Sequence, residues 1–181
     1  MPISYRRATA DDFPGILRLQ SANYLPNVAP QDRSQGFLSA EFTPTQVATI
    51  AADLGIVVAV DEAVVGYLCG FRNEFDHNSP VLAKMLESYD RVQFNGRAIA
   101  SYRSYIYGPV CIARQYRGRG ILQKLYEAQK SELAGRFEVG VAFVSRANPH
   151  SLHAHVNGLG MTDAGDFEAN GNVYAILVFS L

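Results

Sequence analysis

The chain has 181 residues, 48% of them hydrophobic and 18% charged, with sixteen Lys and Arg against seventeen Asp and Glu. That balance excludes global disorder, and the net charge of -1 excludes a global field that would draw the protein to nucleic acid or an anionic membrane. No apolar run approaches the ~18 residues of a membrane span, and Met1 to Arg7 shows no secretory signal, so a cytoplasmic location with no membrane and no nucleic-acid partner is expected.

In chain order, Ile3 to Ala8 reads as a short strand. Thr9 caps a helix carrying Asp11 and Asp12 in its first turn and Phe13, Ile16, Leu17 and Gln20 at helical spacing, ending near Tyr24 or Leu25. Ser34 to Phe42 is a loop or short helix, and Thr43-Pro44 starts the next helix, through Val47, Ile50 and Ala51 to Leu54-Gly55. Ile56 to Val60 and Val64 to Phe71 make a hairpin about Asp61-Glu62-Ala63. Asp76 to Pro80 breaks the pattern, a helix is expected over 81–89, and Asn95-Gly96 is a turn. Tyr102 to Ile112 is a long strand, Gly118 to Ala134 a helix with Ile121, Leu122, Leu125 and Leu133 on its apolar face, and Val139 to Ser145 a strand. Ser151 to Asn157 is a short helix, and residues 162–181 form a hairpin around Asn170-Gly171. This order predicts one α/β domain over 1–181, an α+β arrangement on a single mixed sheet. The stretch 73–101 carries the weakest signals and reads as an insert, a lid or a dimer contact, the last allowing a homodimer. Cys69 and Cys111 both lie in apolar runs and read as buried small hydrophobes.

The chemistry concentrates at Gln115-Tyr116-Arg117-Gly118-Arg119-Gly120, where a strand passes into a helix. Two glycines let the backbone approach a ligand and turn its N–H groups outward, and the helix N-terminus beyond Gly120, at Ile121, adds donors and partial positive charge. Arg117 and Arg119 add formal charge, so the stretch reads as a phosphate or pyrophosphate site. It is not a Walker loop, because Ile121 and Leu122 follow Gly120, and not a Rossmann loop, because position 123 is Gln.

Gln-x-x-Gly-x-Gly after a strand resembles the acetyl-CoA pyrophosphate loop of the GNAT (general N-acetyltransferase) acyltransferases. Val110-Cys111-Ile112 resembles that family's pantetheine-pairing strand. Asn148 with Ser151 and His155, then Leu159-Gly160-Met161, resembles its later motif, with His155 where many members have Tyr, Met161 in place of Phe, and one extra residue across 152–158. Leu122 stands where many members have a small residue. The resemblance covers nearly the whole chain, most firmly 104–161. It implies a mostly antiparallel sheet whose one parallel pair, 104–112 and 139–145, splays to admit the pantetheine, with flanking helices. It further implies acetyl-CoA as acyl donor without a metal, a small-molecule amine as acceptor, and transfer by direct attack on the thioester. The alternative is a CoA-binding or sensing module without turnover, and a nucleotide-phosphate binder is a third reading.

On this reading a backbone N–H near Ile112 polarises the thioester carbonyl. His155 is the first candidate for the acid that protonates the leaving thiolate, with a purely positioning hydrogen bond as its bland counterpart. Tyr107 is the second candidate, against a plain core aromatic, and Glu74 is a candidate base, against a solvated strand-end carboxylate. Asn148 and Ser151 read as cap residues of the short helix that also meet the cofactor arm. Tyr24, Phe37 and Glu41 are expected around the acceptor, Glu41 holding an ammonium group. His150, His153 and His155 are too poorly matched in direction to favour zinc.

Overall fold

The computed structural model describes residues 2–75 and 78–181. Strand β1 (Ser4–Arg7) leads through a 3-10 turn into helix α1 (Phe13–Asn23), and a 3-10 segment (Pro30–Gln35) precedes α2 (Pro44–Ala52). The hairpin β2 (Ile56–Asp61) and β3 (Ala63–Phe71) follows, then α3 (Pro80–Glu87) and the small hairpin β4 (Gln93–Phe94) and β5 (Arg97–Ala98). Next come β6 (Ser104–Ile112), α4 (Ile121–Leu133), β7 (Val139–Ser145), α5 (Pro149–His153), β8 (Thr162–Ala169) and β9 (Asn172–Ser180).

The main sheet has seven strands in the order β1-β2-β3-β6-β7-β9-β8. Every neighbouring pair is antiparallel except β6 and β7. Period-2 alternation assigns the side chains to two faces. Tyr174, Ile176 and Val178 of β9 join Ile56 and Val58 of β2 in one core, under Ile16 of α1, Val47 and Ile50 of α2, and Met85 of α3. Ala175, Leu177 and Phe179 join Val57 and Ala59 in the other, under Ile121, Leu125 and Leu133 of α4. Gly140 admits this packing, since a Cβ there would stand 2.2 Å from the Phe179 ring.

The start of α2 follows the sequence signal, whereas Thr9 precedes a 3-10 turn and α1 itself begins at Phe13. Thr43 accepts from the Gln46 N–H while Gln46 accepts from the Thr43 N–H, a reciprocal cap with Pro44 at the first position. Buried Gln20 of α1 clamps Phe42 by two hydrogen bonds, its amide donating to the Phe42 carbonyl at 2.8 Å and its oxygen accepting from the Phe42 N–H at 3.0 Å. The chain entering α2 is thereby fixed against α1. Within 73–101, Val81, Leu82, Met85, Val92, Phe94 and Ile99 are all buried in the first core. The break expected at Asp76 to Pro80 lies partly outside the described residues. Neither cysteine forms a disulfide, and burial raises both thiols, Cys111 to about 12.

Two features of the sheet open the site. The strands β6 and β7 pair only at Ser104–Ile106 with Val139–Val141 and separate beyond. On its other side β6 carries a bulge, because Leu68 faces Val110 while Gly70 faces Tyr107. Pro109, which has no N–H to give a ladder, lies in that bulge.

Candidate active site

The loop after β6 turns through a 3-10 segment (Arg114–Tyr116) and two left-handed glycines, Gly118 and Gly120, both at φ +75°. A Cβ at either would meet nothing within 4 Å, so both present open backbone. The helix expected from Gly118 begins at Ile121, because left-handed residues cannot continue a right-handed helix. Its first N–H groups lack intrahelical acceptors, and Gly120 offers no side-chain cap.

These elements line a cavity of about 390 Å³. At one end stand Gly118, Gly120, Ile121, Leu122 and Gln123; at the other, Val110, Asn148, Ser151 and His155. Leu122, half-buried, turns toward the cavity rather than the core. The wall opposite β6 is the segment Gln35–Leu38.

That wall is tied at both ends. Arg117 donates from Nε to the Ile112 carbonyl at 3.1 Å, from Nη1 to the Gln35 carbonyl at 2.6 Å and from Nη2 to Asn23 Oδ1 at 2.8 Å. Arg117 lines the cavity, and three of its five guanidinium N–H donors go to protein acceptors, which makes it a strut between loop, α1 and wall. Asn148 donates to the Phe37 carbonyl at 3.1 Å and accepts from the Ser151 N–H at 3.2 Å, which caps α5. The substitution Arg117→Ala is expected to speed amide hydrogen exchange over 35–38. It should also weaken acetyl-CoA binding about fivefold, roughly 1 kcal/mol. Lysine should not rescue it, because an ammonium lacks the planar fork.

After α5 the helix widens into a π-helical turn, Ala154–Gly158. A π turn holds one more residue than an α turn, which accommodates the extra residue in 152–158. His155 sits in this turn, 4% exposed. Its Nδ1 is 2.7 Å from the Ser151 carbonyl, which can only accept, so Nδ1 carries the proton. Nε2 then accepts from the Tyr107 hydroxyl at 3.3 Å. Burial lowers the imidazole pKa below its ordinary 6.5, with the Ser151 carbonyl pulling the other way. Burial pushes the Tyr107 hydroxyl well above its ordinary range. Both groups are therefore neutral near pH 7, which removes the near-neutral titration on which an acid role for His155 rests.

A second cavity, about 100 Å³, lies beyond the splay and shares Phe37, Leu38, Val110, Asn148, Ser151 and His155 with the first. Several residues expected at the site line neither cavity. Glu74 and Glu41 are exposed. Tyr24 forms a backbone bridge with Leu38 behind the wall. Arg119 lies over the Tyr116 ring, 5.0 Å from its centroid, and Gln115 lines a separate groove beyond Arg117. Missed by sequence reasoning were the wall residues Gln35, Gly36 and Leu38, and Phe71, Leu82, Phe143 and Ser145 of the second cavity, whose apolar members look like any core residue. Among the described residues no group of three His, Cys, Asp or Glu is placed to hold a metal, and no helix is long and apolar enough to cross a membrane.

No family model and no curated protein sequence matches the chain. Solved structures do. A GNAT-family acetyltransferase from Streptococcus agalactiae superposes with a TM-score of 0.69 at 15% identity, covering 99% of this chain and 95% of its own. A GNAT-superfamily phosphinothricin acetyltransferase from Sinorhizobium meliloti, solved with acetyl-CoA, gives 0.63 at 23% identity, covering 100% and 89%. A chain of the NatC complex bound to Gag peptide and CoA gives 0.66 at 16%, covering 100% and 99%. The protein has the GNAT acetyltransferase fold, a single seven-stranded mixed sheet with one parallel pair and flanking helices.

Proposed function

We propose that the protein is an acyl-CoA-dependent N-acyltransferase that moves an acetyl group from acetyl-CoA to the amine of a small molecule. One observation carries the reading. A single cleft runs from the open glycines and the α4 N-terminus to the gap between β6 and β7, where it meets a second cavity.

The residues suit a CoA-shaped ligand. Open backbone at Gly118 and Gly120 with the free N–H groups of α4 suits a pyrophosphate. The separated stretch of β6 from Val110 to Ile112 offers backbone groups to an extended amide-bearing arm. When bound, acetyl-CoA supplies an activated thioester carbonyl. On this reading that carbon would lie where the two cavities meet, among Phe37, Leu38 and Val110, which would exclude water, and Ser151 and Asn148, which would offer hydroxyl and amide donors. His155 and Tyr107 stand behind these groups as a neutral, mutually bonded pair.

A thermal-shift comparison tests the reading. Acetyl-CoA and CoA at 100 times their dissociation constants should each stabilise the fold by about 2.7 kcal/mol, raising the melting temperature by about 5 °C or more. ATP and NAD should not. A shift with ATP or NAD alone refutes the reading. Thiol release with amines then separates an enzyme from a CoA-binding module without turnover, a reading favoured by the neutral, buried state of His155 and Tyr107.

A further inference from the structure

The second cavity has a floor and a mouth. Phe42, Phe71, Leu82 and Ile106, all buried, form the floor; Phe37, Ser39, Ala40 and Pro109, all half-buried, form the rim. Among the described residues no Asp, Glu, Lys or Arg lines it. Its titratable lining groups are Tyr107 and His155, both buried and hydrogen-bonded to each other. Glu41 lies outside the lining, and Arg146, next to lining Ser145, is bound to Asp163 and Asp166.

An alkylammonium entering this space would lose its water and meet no carboxylate among the described lining residues, and an unpaired buried charge is strongly disfavoured. No lining carboxylate stands ready to take its proton either. A neutral amine meets neither obstacle, and the edge-on rings of Phe42 and Phe71, 5.5 Å apart, suit an aromatic body.

From this cavity we infer that the acceptor is a weakly basic amine on an apolar, aromatic body, an arylamine admitted in its neutral form rather than an alkylammonium. The inference rests on the acyltransferase reading. The step balances without an added base: the amine lone pair forms the C–N bond and the C–S bond breaks. The N–H proton passes to the departing sulfur, giving amide and CoA thiol.

The test is thiol release from acetyl-CoA with p-toluidine and benzylamine, near-isosteres of very different basicity, from pH 6 to 8. For p-toluidine kcat/KM should stay nearly flat. For benzylamine it should rise about tenfold per pH unit, about 100-fold in all, following the neutral fraction. Ser39→Asp, which puts a carboxylate on the rim, should raise benzylamine relative to p-toluidine at pH 7 by about tenfold, about 1.4 kcal/mol. A benzylamine profile that levels off below pH 8 would reveal a base on the protein and overturn the inference. So would turnover of neither amine by protein that acetyl-CoA stabilises. Absence of stabilisation by acetyl-CoA is a different failure, which removes the acyltransferase reading and this inference with it.

Discussion

Gly118→Asp should weaken acetyl-CoA binding by about 100-fold, roughly 2.7 kcal/mol, while leaving the protein folded. The backbone there is left-handed at φ +75°, and a Cβ would meet nothing within 4 Å, so no neighbour must move. Aspartate is among the few residues that visit this conformation, at about 1–2 kcal/mol. Its carboxylate would stand where the loop and the α4 N-terminus offer positive potential, and would repel a pyrophosphate. Gly96 provides the control. It has φ +77° and an equally open Cβ position, but it turns the β4–β5 hairpin. Gly96→Asp should carry the same strain and leave the affinity unchanged. Calorimetric titration of both variants, with melting temperatures alongside, checks the result. Equal affinities for the two would remove the pyrophosphate cradle.

The glycine turn was legible because its signals are local. Glycine is the residue that a left-handed turn requires, and Gly118 and Gly120 announce one between a β-branched strand and an amphipathic helix. β2 and β9 were legible as strands, but both are apolar on either side, so which residues face which core was not. Arg117 shows where local reading stops. Beside two glycines it looks like a phosphate ligand, yet its partners Asn23 and Gln35 lie 94 and 82 positions away, and only the assembled sheet brings them near. Glu41 and Glu74 failed in the opposite way. Each sits beside elements that do line the site, yet both are exposed and neither lines a cavity. The second cavity was illegible in principle. Phe71, Leu82 and Phe143 differ from core residues only in facing a void, which a sequence does not record.

His155→Phe should lower kcat at least tenfold, keep acetyl-CoA affinity within about threefold, and reduce stability by about 2–4 kcal/mol. The stability loss follows from two lost hydrogen bonds. Without Nδ1–H the Ser151 carbonyl loses its donor at 2.7 Å but keeps the Ala154 N–H, and without Nε2 the buried Tyr107 hydroxyl is orphaned. Each such loss costs about 1–3 kcal/mol. Tyr107→Phe removes the orphan, so the double variant should be less destabilised than the sum of the singles, a coupling of about 1 kcal/mol or more. The rate falls because the imidazole fixes Ser151, which lines both cavities, whereas Gly118 and Gly120 line only the first.

Acidity provides an independent check. Burial holds the His155 pKa in the fold below its unfolded 6.5, so between those values the unfolded chain binds more protons. Stability from this residue is therefore complete above pH 6.5 and is lost as pH falls toward the folded value. In urea titrations from pH 7.5 to 5 the native protein should lose more stability than His155→Phe does. The same sign fixes the kinetics. A histidine kept neutral has no proton at Nε2 to give, so the p-toluidine rate should show no loss on raising pH from 6 to 8. A falling limb in that range, present in the native protein and absent from His155→Phe, would mean that the imidazole is charged at work and acts as the acid after all.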